Sequence, residues 1–203
     1  MPTEPNRTLL PTPEGEVFFS QWLKHLNDEF TRHQGYERRC DIVRDELFQL
    51  FLDKPHGGRV TSTLKSELPM NVVEITLDPR NVTLEAEYLD GIDRARYLDR
   101  KPLIYMWQMF DRSPLGLNLW LGFKFRCMMG RHIFKSMGSR VKVHHAVHFH
   151  FGYNVVIEDD VVVHRGATLD DRTELVLPAG SEVDAFATVK PSGQSHAAVE
   201  HEY

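Results

Sequence analysis

The chain has 203 residues, 24 basic against 29 acidic side chains, and a formal net charge of −5. That length can bury one sizeable core or two small ones, and a mild acidic balance without a basic excess excludes a general nucleic-acid binder. Cys40 and Cys127 lie far apart with no metal-ligand spacing, the usage expected of reduced thiols in a cytoplasmic protein.

Met1 to Glu16 is rich in Pro and Thr and lacks an apolar run, so residues 1–16 are expected to be a flexible arm without a secretory leader. From Val17 to His33, Phe18, Trp22, Leu26 and Phe30 recur at helical spacing. Tyr36 to Asp53 repeats the pattern with Cys40, Val43, Leu47, Leu50 and Phe51. Residues 17–68 therefore predict a helical hairpin, which needs a further surface to pack on. Residues 69–138 read as a mixed segment. Val72, Val73, Ile75 and Leu77 suggest a strand, Asp78 to Asn81 a turn, and Val82 to Tyr88 a continuation. Asp93 to Phe110 predicts a helix, and Leu117 to Met137 a long one ending at Gly138. Lys124, Arg126, Arg131 and Lys135 are expected to solvate its outer side, while its apolar side covers the element that follows. The most hydrophobic run, Leu115 to Met129, carries Lys124 and Arg126 and is too short and charged to span a bilayer.

Over residues 139–190 the period changes to six. His145, Phe151, Ile157, Val163, Leu169, Leu175, Ser181 and Ala187 form one row, and Val143, Phe149, Val155, Val161, Ala167, Thr173, Ala179 and Ala185 a second. Thirteen of these sixteen positions are apolar, about twice the number expected by chance. A period of six fits neither a helix nor simple strand alternation. It fits a short strand plus a turn, three of which close one triangular coil of a parallel β-helix. The expected fold is α+β: a helical N-terminal region followed by a short β-helix of hexapeptide repeats, with a polar tail over 191–203.

The stretch Phe151-Gly152-Tyr153-Asn154 followed by Val155-Val156-Ile157-Glu158-Asp159-Asp160-Val161 resembles the opening coil of the hexapeptide-repeat acyltransferases, among them the maltose and galactoside O-acetyltransferases. Leu77 to Thr83, Trp107 to Gly116, Val163-His164-Arg165 and Leu169 to Arg172 are similar to relatives of that group, so the likeness covers roughly Ile75 to Val189. It implies a left-handed parallel β-helix, an exception to the usual crossover hand, a homotrimer, and transfer of an acyl group from acetyl-CoA as co-substrate to a small-molecule acceptor. No resident cofactor is implied. A histidine would act as general base, with backbone N–H groups stabilising the oxyanion.

By that resemblance His196, preceded by Ser195, matches the catalytic loop, and His164 is the second candidate base. Asn154, Arg165, Asp170 and Asp171 are the candidate acceptor contacts, His164 being expected one coil edge from the two aspartates. The family carries further coils after this point, so the chain is expected to be a shortened member with weak coenzyme A affinity. A non-catalytic trimeric scaffold is the alternative. His144, His145, His148, His150 and His164 crowd the first coils, but no Asp or Glu alternates among them and no metal is expected.

Overall fold

The computed structural model describes residues 10–57 and 68–191. Five helices come first: α1 (Pro13–Arg32), α2 (Tyr36–Leu52), α3 (Leu68–Thr76), α4 (Arg94–Asp111) and α5 (Leu119–Ile133). Nine strands of two or three residues follow: β1 (Ser136–Met137), β2 (Lys142–Val143), β3 (His148–Phe149), β4 (Val155–Ile157), β5 (Val162–Val163), β6 (Thr168–Leu169), β7 (Leu175–Leu177), β8 (Glu182–Val183) and β9 (Thr188–Val189). No described helix is long and apolar enough to cross a membrane.

Helix α1 starts earlier than its apolar stripe. The Thr12 hydroxyl accepts the Gly15 N–H at 3.1 Å, Pro13 occupies the first turn, and Glu14 and Glu16 sit at the positive end of the dipole. Residues 13–16, expected in the flexible arm, are thus the first turn of a helix. Between α1 and α2 the chain turns at Gly35, whose φ of 90° suits glycine. Its N–H donates to Asp99 of α4. Arg39 is buried beside it and donates to the Asp99 carbonyl and carboxylate and to Gln34. The hairpin is therefore clamped to α4 through α2, while α1 lies on α5.

The strand expected at Val72 to Leu77 is instead the end of α3, to Thr76, and a turn at Leu77, and the expected continuation over Val82 to Tyr88 includes a 3-10 turn at Glu85–Tyr88. All described strand pairing lies among β1 to β9, so the earlier segment satisfies its backbone locally despite its β-branched residues. The long helix expected to Met137 ends at Ile133. The Phe134 N–H closes onto Gly130, and Ser136–Met137 is already the first strand. Arg126 is a second correction: it faces inward and is fully buried.

The nine strands form three parallel three-stranded sheets, β1-β4-β7 (sheet A), β2-β5-β8 (sheet B) and β3-β6-β9 (sheet C). The chain visits A, B and C in rotation, an order consistent with a β-helix. Every pairing joins residues 20 apart, as in Ser136 with Val156, Lys142 with Val162 and His148 with Thr168. A uniform hexad coil would give 18. The extra two residues sit at the corner from C to A: Phe149 to Ile157 spans eight positions, as does Leu169 to Leu177, while the other steps remain six. Each C-to-A corner therefore shifts the inward set by two positions: Val143 and Phe149 of the second row align with Val163 and Leu169 of the first row in the next coil, and with Val183 and Val189, which belong to neither row, in the last. In the last coil Leu177 and Val183 are buried, whereas Thr173, Ala179 and Ala185 are exposed.

The other corners repeat at the same 20-residue interval. Arg140, Asp160 and Gly180 have positive φ at the A-to-B corner, and Ala146, Gly166 and Phe186 at the B-to-C corner. These left-handed residues make the bends between short strands.

The first coil would present unpaired strand groups, and α5 covers it. The Arg126 Nη1 donates to the Val143 carbonyl at 3.3 Å, and the Cys127 Sγ lies 3.0 Å from the Val141 carbonyl. Such cover keeps an open edge from pairing with another chain.

Candidate functional site

Two corners carry the chemistry expected from the sequence, and they lie at opposite ends of the sheet C strands. The B-to-C corner holds His144, His164 and Arg165; the C-to-A corner holds Asn154, Asp170 and Asp171.

At the B-to-C corner the 20-residue repeat stacks equivalent positions of successive coils. His144 and His164 face each other with ring centroids 5.0 Å apart and planes inclined by 23°, and Phe123 of α5 meets the outer ring edge-on at 4.8 Å. His164 Nε2 lies 2.5 Å from Oε1 of Glu182 on β8. With Nε2–H donated to that carboxylate, the proton-free nitrogen of neutral His164 is Nδ1, so Glu182 orients the ring and sets its tautomer. The pair is solvent-accessible. Burial, reinforced by the neighbouring His164, holds His144 below the ordinary histidine pKa. A neutral ring beside His164 avoids juxtaposing two imidazolium charges. The arrangement can accept and return a proton at an accessible nitrogen, the task of a general base.

Arg165 points elsewhere. Its guanidinium lies 5.5 Å from the ring centroid of Phe186, and its carbonyl accepts the Phe186 N–H. Gly166 makes room for this contact, because a Cβ there would lie 2.5 Å from the Phe186 ring.

At the C-to-A corner the expected acceptor contacts serve the backbone. Asp171 is fully buried, and its two oxygens accept the N–H groups of His150 at 2.7 Å, Phe151 at 3.1 Å and Gly152 at 2.6 Å. Desolvation raises its pKa, and these three hydrogen bonds oppose the rise. Asn154 donates to the Asp171 carbonyl at 2.9 Å. Together they hold the two-residue insertion in shape. Asp170 is bound bidentately by Arg172 at 2.8 and 2.7 Å, which keeps its carboxyl below the usual range. Both Asp171 oxygens are thus engaged with the backbone, and Asn154 braces the same turn through its amide N–H.

His196, the other candidate base, lies outside the described residues. Among the described residues no group of three or more His, Cys, Asp or Glu side chains is placed to hold a metal ion.

Sequence reasoning missed Glu182. It stands 18 residues from His164, a full turn in an 18-residue coil, but the 20-residue ladder pairs it with Val162 and leaves its carboxylate reaching back to the histidine. The acidic residue between Ser181 and Val183 was the available signal; the register needed to use it was not. Comparison of the chain with family models, curated proteins and solved structures finds no match.

Proposed function

We propose that this protein is an acyltransferase that moves an acyl group from acetyl-CoA to a hydroxyl or amine of a small acceptor. The observation that carries the reading is the oriented histidine at a β-coil corner: His164 with its Nε2 on Glu182 and its second nitrogen available as a base. The three-sheet rotation supports the finer reading of the fold as a left-handed parallel β-helix, and short coils of this kind suit a homotrimer. The two unpaired thiols, Cys40 and Cys127, suit a cytoplasmic location.

In this mechanism the acceptor hydroxyl or amine gives its proton to the histidine as its heteroatom attacks the thioester carbonyl. The tetrahedral intermediate collapses by breaking the C–S bond, and the coenzyme A thiolate takes the proton back from the imidazolium. Glu182 stabilises that imidazolium while it exists.

Thiol release from acetyl-CoA, measured over a panel of hydroxylated and amino acceptors, tests the reading. His164→Ala is expected to lower the rate by about 10²–10⁴-fold. A rate untouched by His164→Ala and lost in His196→Ala would move the base to His196. Neither turnover nor calorimetric binding of acetyl-CoA would sink acyl transfer and leave a non-catalytic scaffold.

A further inference from the structure

The middle coil (β4 to β6) and the last coil (β7 to β9) differ at the positions that bind one coil to the next. The middle coil donates to the last through the N–H groups of Glu158, Val162, His164, Thr168 and Asp170. These meet the carbonyls of Leu177, Ser181, Val183, Ala187 and Val189 at 2.8 to 3.0 Å. Counted on by the 20-residue repeat, the same positions of the last coil are Pro178, Glu182, Asp184, Thr188 and Lys190. The repeat turns them away from the stack.

Proline has no N–H, so at Pro178 the free edge of sheet A lacks the donor that Glu158 supplies one coil earlier. The edge of sheet B carries Glu182 and Asp184 where the middle coil has Val162 and His164. Proline and charge are the means by which exposed edges resist strand addition.

The C-to-A corner changes in the same sense. The Asp171 carboxylate holds the corner one coil back through the N–H groups of His150, Phe151 and Gly152. Twenty residues beyond Asp171 stands Pro191, which has no carboxylate with which to hold the next corner. Inside the coils, the row that begins with the buried Val141 and Val161 ends in Ser181. A hydroxyl sealed beneath a further apolar coil costs free energy. Leu175, Leu177 and Val183 are nevertheless only 1%, 3% and 6% exposed, so the last coil buries these side chains with no described coil beyond it.

We infer that the last coil is a built end, which accepts neither a fourth coil in the same register nor the strand edge of a second copy. The two ends of the stack are then closed by different means, the first by α5 and the last by its own edge residues. The His164–Glu182 corner, formed between the middle and last coils, stays open from that end to small molecules while strands are refused. The inference rests on coil register and does not depend on acyl transfer.

Amide hydrogen exchange of the full chain, read from ¹H–¹⁵N spectra, tests it with the last coil as its own control. The N–H groups of Leu175, Gly180 and Phe186 donate back to the carbonyls of Asn154, Asp159 and Arg165, and they are expected to be protected. Those of Glu182, Asp184 and Thr188 are expected to exchange at least about 100-fold faster. Equal protection of both sets would show a strand paired on this face and would overturn the inference. A grafted coil tests the cause. A copy of residues 170–189 inserted after Val189 supplies the corner aspartate, and its amides are expected to be protected only when Pro178→Glu and Ser181→Val accompany it. Protection of the graft on the unaltered seat, or none on the altered one, would overturn the inference equally.

Discussion

Asp111 and Arg126 form a buried ion pair that joins α4 and α5 to the first β coil. Asp111 Oδ1 accepts from the Arg126 Nε at 2.8 Å and Nη2 at 2.6 Å, while its Oδ2 accepts the Ala146 N–H at 3.0 Å. Arg126 also donates to the carbonyls of Gly116 and Val143. One side chain from each helix thus reaches the backbone of the coil, and each neutralises the other where water is excluded.

Removing one partner leaves the other charged and buried. Asp111→Ala is expected to destabilise the fold by about 3–5 kcal/mol, and Arg126→Met by a similar amount. The double variant should lose less than the sum of the two, because no isolated charge remains. Urea unfolding of the four proteins checks this; strictly additive losses would show that the pair is not coupled.

Gly116 stands against the same junction. A Cβ there would lie 2.7 Å from both the Asp111 Cα and the Phe110 carbonyl oxygen. These are backbone atoms of the α4 C-terminus and cannot swing aside, so Gly116→Ala is expected to cost about 1–3 kcal/mol. A thermal midpoint unchanged by the substitution would count against this close approach.

At the C-to-A corner, Asp171→Ala would strand three backbone donors at once. The expected loss is about 2–5 kcal/mol, since each unmatched buried donor carries its own penalty and water can reoccupy part of the space. Asp171→Asn should recover part of the loss, its carbonyl oxygen accepting while its amide cannot. Equal stability of the alanine variant and the wild type, by urea midpoint, would remove Asp171 from the structural role.

Two histidines predict the response to mild acid. Burial holds His132 and His144 below the ordinary histidine pKa. Their unfolded forms therefore bind protons first, and between the depressed values and about 6.5 the unfolding free energy falls as pH falls. The urea midpoint is expected to drop on acidification below about pH 6.5. His132→Gln, which keeps a polar group facing Asn27, should flatten that slope. A midpoint insensitive to pH across this window would contradict the shift.

The orienting role of Glu182 separates from that of a mere corner residue by comparing rate with stability. If His164 is the base, Glu182→Gln should lower the rate of thiol release by about tenfold or more while leaving the urea midpoint nearly unchanged, because the exposed side chain holds the ring and not the coil. A midpoint that falls with the rate would assign Glu182 a purely structural part.

Helices α1, α2, α4 and α5 and the short strands of the coils were legible in the sequence because their signals are local, whereas the β-branched Val72, Val73 and Ile75 disguised α3 as a strand. Phe18, Trp22, Leu26 and Phe30 share a helical face whatever they later touch, and apolar residues every six positions demand a strand and a turn. The 20-residue coil was not legible, because two inserted residues at one corner leave the hexads on either side intact; only the hydrogen-bonded pairing of Ser136 with Val156 and its counterparts counts them. The inward turn of Arg126 was equally invisible, since an arginine on a helix is an ordinary solvated residue until Asp111 and the Val143 carbonyl are brought to it. The pairing of His164 with Glu182 follows from the same coil register. Local periodicity determined which elements form; long-range backbone pairing and the need to neutralise buried polar groups decided which side chains meet.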